Sequence, residues 1–233
     1  MSQSKRIWGW FFYDWACQPF YTLMLTFFFA PYFATVAADY FVASGMEIEA
    51  SKAKAQTMWS ICLSASGLFI GISAPILGAI ADTSGRRMPW IYVFSIMLIV
   101  GALGTWVGVP DGSNLTLMLY FFALGYIGTE FALIFTNAQL TTLGDQNEIG
   151  KISGSGFGFG YLGGVFALAI ALLFLVEQPN GTTFMLGIEP LFGFLNPENM
   201  EGTRFVGPLA AIWFIIFAIP YFKNIKDLSL IHI

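Results

Sequence analysis

Six apolar runs, each long enough to cross a bilayer, divide this chain into spans joined by polar connections. They fall at about residues 7–38, 57–81, 89–109, 115–139, 152–176 and 205–222. About 20 apolar residues in a helix cover the hydrocarbon core of a membrane. No water reaches that core to satisfy backbone amides, so each run must close its hydrogen bonds internally. The pattern predicts an all-α membrane protein, with residues 1–233 forming one transmembrane domain of six helices.

Composition excludes a soluble alternative. Charged residues make up 10% of the chain and apolar residues 57%, whereas a soluble domain carries about 25% charged residues. Too few charges are left to cover a water-exposed surface, so the lipid bilayer is the expected partner. The net charge of −4 comes with no basic patch, which argues against a nucleic-acid partner. Cys17 and Cys62 both sit in apolar runs, so no disulfide framework is expected. The first run is too long for a cleavable signal and lacks a small-residue cleavage site. Without a cysteine–histidine cluster, nucleophile motif or phosphate loop, no enzyme activity, cofactor or metal is expected. His232, the only histidine, lies in the tail and is assigned no role.

Basic residues set the orientation. With both ends cytoplasmic, Lys5, Arg6, Arg86, Arg87, Lys151, Lys223 and Lys226 lie inside, and only Lys52, Lys54 and Arg204 outside. The opposite orientation reverses that bias and violates the positive-inside rule. The connections are expected at 39–56, at a tight turn over 110–114, at 141–151 and at a long glutamate-bearing loop over 177–204.

The connection after the second run concentrates chemistry. Gly78, Asp82, Gly85, Arg86 and Arg87 occupy a stretch where Gly85 can take positive φ and reverse the chain. These residues resemble the loop between helices two and three of major facilitator transporters. That resemblance implies a cytoplasmic gating latch, with Thr83 standing where a basic residue is common. Asp82 is then expected to accept from a helix N-terminus of a partner half or to pair with an arginine.

Glu130 lies deep in the fourth run, where an ionised side chain costs ~3 kcal/mol or more unless it meets a cavity or partner. Tyr126, Ile134 and Asn137 fall on its helical face. Glu130, Asn137 and Tyr126 are therefore candidates for a substrate or proton site, against a purely structural, protonated glutamate bonded to a neighbouring helix. Asp14 shares a face with Gln18, Tyr21 and Tyr32. Asp14 and Gln18 either line a solute path, or Asp14 sits at the cytoplasmic interface and caps or pairs with Arg6. The aromatic opening over residues 8–20 suits an interfacial entry.

Glycines mark expected close approaches: Gly67 with Gly71 in the second run, and Gly156, Gly160 and Gly164 in the fifth. Gly158, Gly160 and Gly163 spell a dinucleotide fingerprint, but that reading needs a preceding strand, and here the glycines open a membrane span. The fifth-run stretch over 152–164, Phe135-Thr136-Asn137-Ala138-Gln139-Leu140, the opening Trp8, Tyr13-Asp14-Trp15-Ala16 and Phe20, and Pro31-Tyr32-Phe33 together resemble the vacuolar amino-acid effluxer (autophagy-related) family, a branch of the major facilitator superfamily. Cys17 stands where that pattern has an asparagine. The resemblance implies efflux of a small solute, amino acids being the class associated with the fungal members.

Six spans match the amino-terminal half of a major facilitator, which places its substrate site between two six-helix halves. The chain is expected to be a fragment or a half-transporter, with a C-terminal six-helix half or a second copy as partner. The membrane would be the inner membrane of a bacterium or the vacuolar membrane of a fungus. A rival reading is a membrane scaffold or receptor that uses the 177–204 loop.

Overall fold

The computed structural model describes residues 2–226; His232 and the tail around it lie outside the described residues. Among those residues, six helical spans are long and apolar enough to cross a membrane: Gln3–Ala43, Ile48–Ser84, Met88–Val107, Leu115–Thr142, Gln146–Phe174 and Glu201–Asn224. The architecture is that of half a major facilitator fold. The elements are α1 (Gln3–Pro19), α2 (Phe29–Ala43), α3 (Ile48–Ser84), α4 (Met88–Gly104), α5 (Leu115–Ala138), α6 (Gln146–Phe174), α7 (Glu201–Arg204), α8 (Val206–Phe217) and α9 (Ile219–Asn224).

The first span is interrupted, and proline explains how. Pro19 has no N–H to give the Trp15 carbonyl. The indole Nε1 of Trp213 takes that carbonyl instead, at 3.2 Å. Beyond Pro19 the chain runs as a π-helical segment, Phe20–Phe27, closed by the Phe28 amide donating to Leu23 O at 3.0 Å. Wider turns of this kind re-aim side chains and recur at functional sites. The sixth span breaks for a related reason: Pro220 stands in the first turn of α9, just after α8 ends at Phe217.

Two expectations are corrected. The aromatic opening is not an interfacial entry: Trp10, Tyr13 and Phe20 are buried in the bundle core, and only Trp8 is half exposed. Trp10 donates to the α5 carbonyl of Thr136 and sits over Gly156 of α6, Tyr13 packs on Phe214 of α8 and Tyr221 of α9, and Phe20 stacks on Phe122 of α5. The 39–56 connection is also mostly helical, leaving only Ser44 to Glu47 between α2 and α3. Its alanines, lysines and glutamate are strong helix formers, so polarity there does not mean loop. Glu47 caps α3 by accepting from the Ala50 amide at 3.0 Å.

The most extensive helix contact joins α4 to α5. A Cβ on Gly101 would overlap the Gly125 backbone, and one on Gly128 would meet Leu98 N at 2.5 Å. Gly67 and Gly71, expected to do this work, touch nothing within 4 Å. They lie on α3, the most exposed of the spans, on a side that faces away from the other helices. At one end of the bundle, Tyr221 donates to Gln139 Oε1 at 2.5 Å, Tyr13 bonds Ser95 at 2.7 Å and Trp10 donates to Thr136 O at 3.1 Å. At the other end, Tyr32 donates to Gly108 O at 2.8 Å and Arg204 to Trp106 O at 2.7 Å.

Candidate functional site

A groove of about 870 Å³ runs along one side of the bundle. Its walls come from α1 (Trp10, Asp14, Gln18), the π-helical segment (Tyr21, Thr22), α5 (Leu133, Asn137) and α6 (Ser153, Phe157, Tyr161). The volume suits a small organic solute. Apolar and aromatic walls carrying a few polar groups are the usual composition of such sites.

Asp14 is the groove's acid. Its Oδ1 accepts from Gln18 Nε2 at 3.3 Å, while Oδ2 is buried and has no hydrogen-bond partner. Oδ2 is directed at the Cα of Gly160, and a Cβ there would collide with it. Gly156 makes room in the same way for Trp10 and Phe11, Gly163 for Trp15, and Gly164 for Thr22 Oγ1. The glycine face of α6 thus receives side chains from the first span one after another. Arg6 does not pair with Asp14; its guanidinium donates to Thr142 Oγ1 at 2.9 Å.

Glu130 and Tyr126 do not line the groove, whereas Asn137 does. Glu130 reaches the groove through an intermediary: the Tyr21 hydroxyl, itself on the groove wall, donates to Glu130 Oε1 at 2.9 Å. Tyr126 also interacts with that carboxylate, and its ring stacks on Phe122 at 6.0 Å. The two acids are therefore joined to one space, one directly and one through a tyrosine. Glu130 shares its helical face with Leu133 and Asn137, one and two turns nearer the C-terminal end of α5, so its place off the wall is a matter of depth along α5 and not of rotation: Tyr21 stands between it and the groove. Thr22, Ser153, Phe157 and Tyr161 also line the groove, and their sequence context does not mark them as wall residues. Ser153 and Tyr161, polar positions a little over two turns apart near the start of the fifth run, are the available signal.

The loop between α3 and α4 is held by one arginine. Gly85 takes φ 62° as the helix cap, and its amide donates to Asp82 O at 3.2 Å. Arg87 Nη2 and Nε donate to Asp82 Oδ1 at 2.7 and 3.2 Å, and Nη1 donates to Ala138 O at 2.9 Å. The planar guanidinium can serve both acceptors at once. It thereby ties the loop to the C-terminal end of α5. Asp82 pairs with an arginine, one of its two expected partners. Arg86 is exposed, and Gly78 has open space around it. Among the described residues, no three His, Cys, Asp or Glu side chains stand together as a metal site.

The family model described as vacuole effluxer Atg22 like matches residues 2–231. An uncharacterized MFS-type transporter of Bacillus subtilis (strain 168), YxiO, is 25% identical over 226 residues, covering 96% of this chain and 47% of the relative. The chain therefore spans about half the length of that curated relative. No solved structure gives a significant match.

Proposed function

Since this chain belongs to the vacuole effluxer Atg22-like family, we propose that it supplies one wall of the solute path in a major facilitator that moves a small solute by alternating access. The observation that carries this reading is the open-sided groove, in which Asp14, Gln18, Tyr21, Asn137 and Ser153 converge beside the otherwise apolar α6. A second six-helix unit, from a longer chain or a second copy, closes the groove's open side. Amino acids are the proposed solute class, their ammonium group meeting the Asp14 carboxylate on the groove wall and their carboxylate the amide donors of Gln18 and Asn137.

Glu130 and Tyr21 form the coupling element in this reading. When Glu130 is ionised, the Tyr21 hydroxyl is committed to it. When Glu130 takes a proton, its carboxyl no longer holds that donor as strongly, and Tyr21 is released toward the solute. No part of this cycle involves covalent chemistry, so the protein acts as a carrier and not an enzyme. The loop held by Arg87 works as the gating latch on the cytoplasmic side, with both chain ends on that side. The bilayer is the inner membrane in a bacterial host and the vacuolar membrane in a fungal one.

The test is counterflow of labelled amino acids into liposomes holding the complete transporter. Asp14→Asn is expected to reduce uptake by 10-fold or more while the protein still reaches the membrane. Unchanged uptake by Asp14→Asn would remove the groove from the solute path.

A further inference from the structure

The connection between α6 and α7 exposes large apolar side chains on one side and polar ones on the other. Phe184 is 63% exposed, Met185 61%, Phe192 71% and Phe194 81%. Water does not favour four bulky apolar groups clustered on one loop, and exposed patches of this kind mark an interaction surface.

Backbone geometry says where that patch lies. The chain leaves α6, turns at Pro179-Asn180-Gly181 and returns, pairing Gln178 N with Thr182 O at 2.8 Å. It then folds back along the helix it came from. The Phe184 amide donates to Val176 O at 3.3 Å, and the Met185 amide to Leu172 O at 3.2 Å. Leu172 is inside the last turn of the membrane-spanning α6, so Met185 stands level with the end of the span rather than above it. These two amides satisfy carbonyls that the helix end would otherwise leave open. The Phe192 ring lies 5.9 Å from that of Phe174, the last residue of α6. Leu191 and Phe192 hold φ of 48° and 60°, a conformation L-residues avoid, and it is in this conformation that Phe192 meets the helix end. Apart from Glu189, an exposed carboxylate beside Gly193, the polar residues occupy another part of the loop: Gln178, Asn180 and Glu198 surround a separate shallow hollow with Pro179 and Pro197.

We propose that the 184–194 segment is a membrane-interface anchor, its Phe184, Met185, Phe192 and Phe194 side chains seated among lipid headgroups and upper acyl chains at the end of the bundle opposite Arg87. The occupant is lipid because the apolar patch continues an exposed apolar face of α6 outside the groove, on which Leu162 and Phe166 stand one turn apart. Phenylalanine and leucine side chains on an amphipathic surface seat themselves at the boundary of headgroups and acyl chains. Anchoring this connection holds the ends of α6 and α7 at one depth while the groove wall formed by α6 moves.

The experiment places a nitroxide at Phe184, Met185, Phe192 or Phe194, and at Asn180 or Glu198 for comparison, in protein carrying Cys17→Ala and Cys62→Ala and reconstituted in phosphatidylcholine bilayers. Collision with oxygen is expected to exceed collision with a water-soluble nickel chelate at the first four positions, and the reverse at the other two. Nickel-dominated collision at Phe192 and Phe194 would overturn the proposal and make the loop a water-facing surface for a protein. A photoreactive p-benzoylphenylalanine at Phe194, which needs no cysteine replacement, is expected to yield a phospholipid adduct by mass. Its failure to label lipid in the same bilayers would also overturn it.

Discussion

The Tyr21 hydroxyl donates to Oε1 of Glu130 at 2.9 Å, joining the π-helical middle of the first span to the fourth. The bond exists because Pro19 precedes a segment wound more widely than an α-helix, which places Tyr21 on the groove wall and within reach of α5. A half-buried carboxylate that a sequence presents alone is thus partnered across helices.

Tyr21→Phe keeps the ring and removes the donor. A hydrogen bond to a charged group contributes about 1.5–3 kcal/mol. The variant is expected to melt several degrees lower in detergent and to transport at least 10-fold more slowly in the complete transporter. Glu130→Gln retains an acceptor for Tyr21, so it is expected to keep most of the stability while losing the pH dependence of transport. Equal melting losses for the two variants would contradict this bond's role.

Glycine-to-alanine substitutions are expected to separate into three outcomes. Gly101→Ala forces a methyl into the Gly125 backbone, and overpacking of this kind costs about 1–3 kcal/mol. Gly160→Ala meets the Asp14 side chain, which can move, so transport is expected to fall more than stability. Gly71→Ala meets nothing in this bundle and is expected to leave melting unchanged. Thermal unfolding followed by thiol-reactive dye, read beside transport, distinguishes the three.

Arg87→Lys keeps the charge but cannot reach Asp82 Oδ1 and Ala138 O with one rigid fork. A loss of about 1 kcal/mol is expected, since the Asp82 side chain is 62% exposed and solvent screens the pair. Raising the salt concentration is expected to weaken wild type and leave Arg87→Lys nearly unaffected. Unfolding midpoints at two ionic strengths check both.

Glu177 accepts from the Thr203 amide at 3.0 Å, and its other oxygen, Oε1, is buried without a partner. Burial raises its carboxyl above the ordinary 4.5, opposed by bonds from the Glu177 and Thr203 amides and by Arg204. A raised folded-state value means the contribution is complete below about 4.5 and is lost as pH rises through the folded value. Glu177→Gln is expected to reduce the fall in melting temperature between pH 4 and pH 7. An identical fall in wild type and variant would rule out Glu177 as its source.

Much of the fold is legible in the residues themselves. Long apolar runs must become helices in lipid, and the turn at Asp111 and Gly112 follows from an Asx bond and a φ of 73° that local chemistry dictates. Asp14, Gln18 and Asn137 stand out as polar groups in apolar runs, and the groove gathers all three. The readings that changed were those needing a neighbour. Gly67 and Gly71 have the spacing of a packing motif, yet the helices that meet are those carrying Gly101, Gly125 and Gly128.

Hydrophobicity along one dimension determined the number of spans, their helical form and the medium they occupy, because the penalty for an unpaired amide in hydrocarbon allows few alternatives. Which face of each helix turns inward was decided only by the tertiary structure. In lipid, an apolar face gains little from leaving its surroundings, so rotation is set by close packing at glycines and by polar bonds between helices. That is why Tyr21 comes to stand between Glu130 and the groove, and why Asp14, near the end of its run, meets the glycine face of α6.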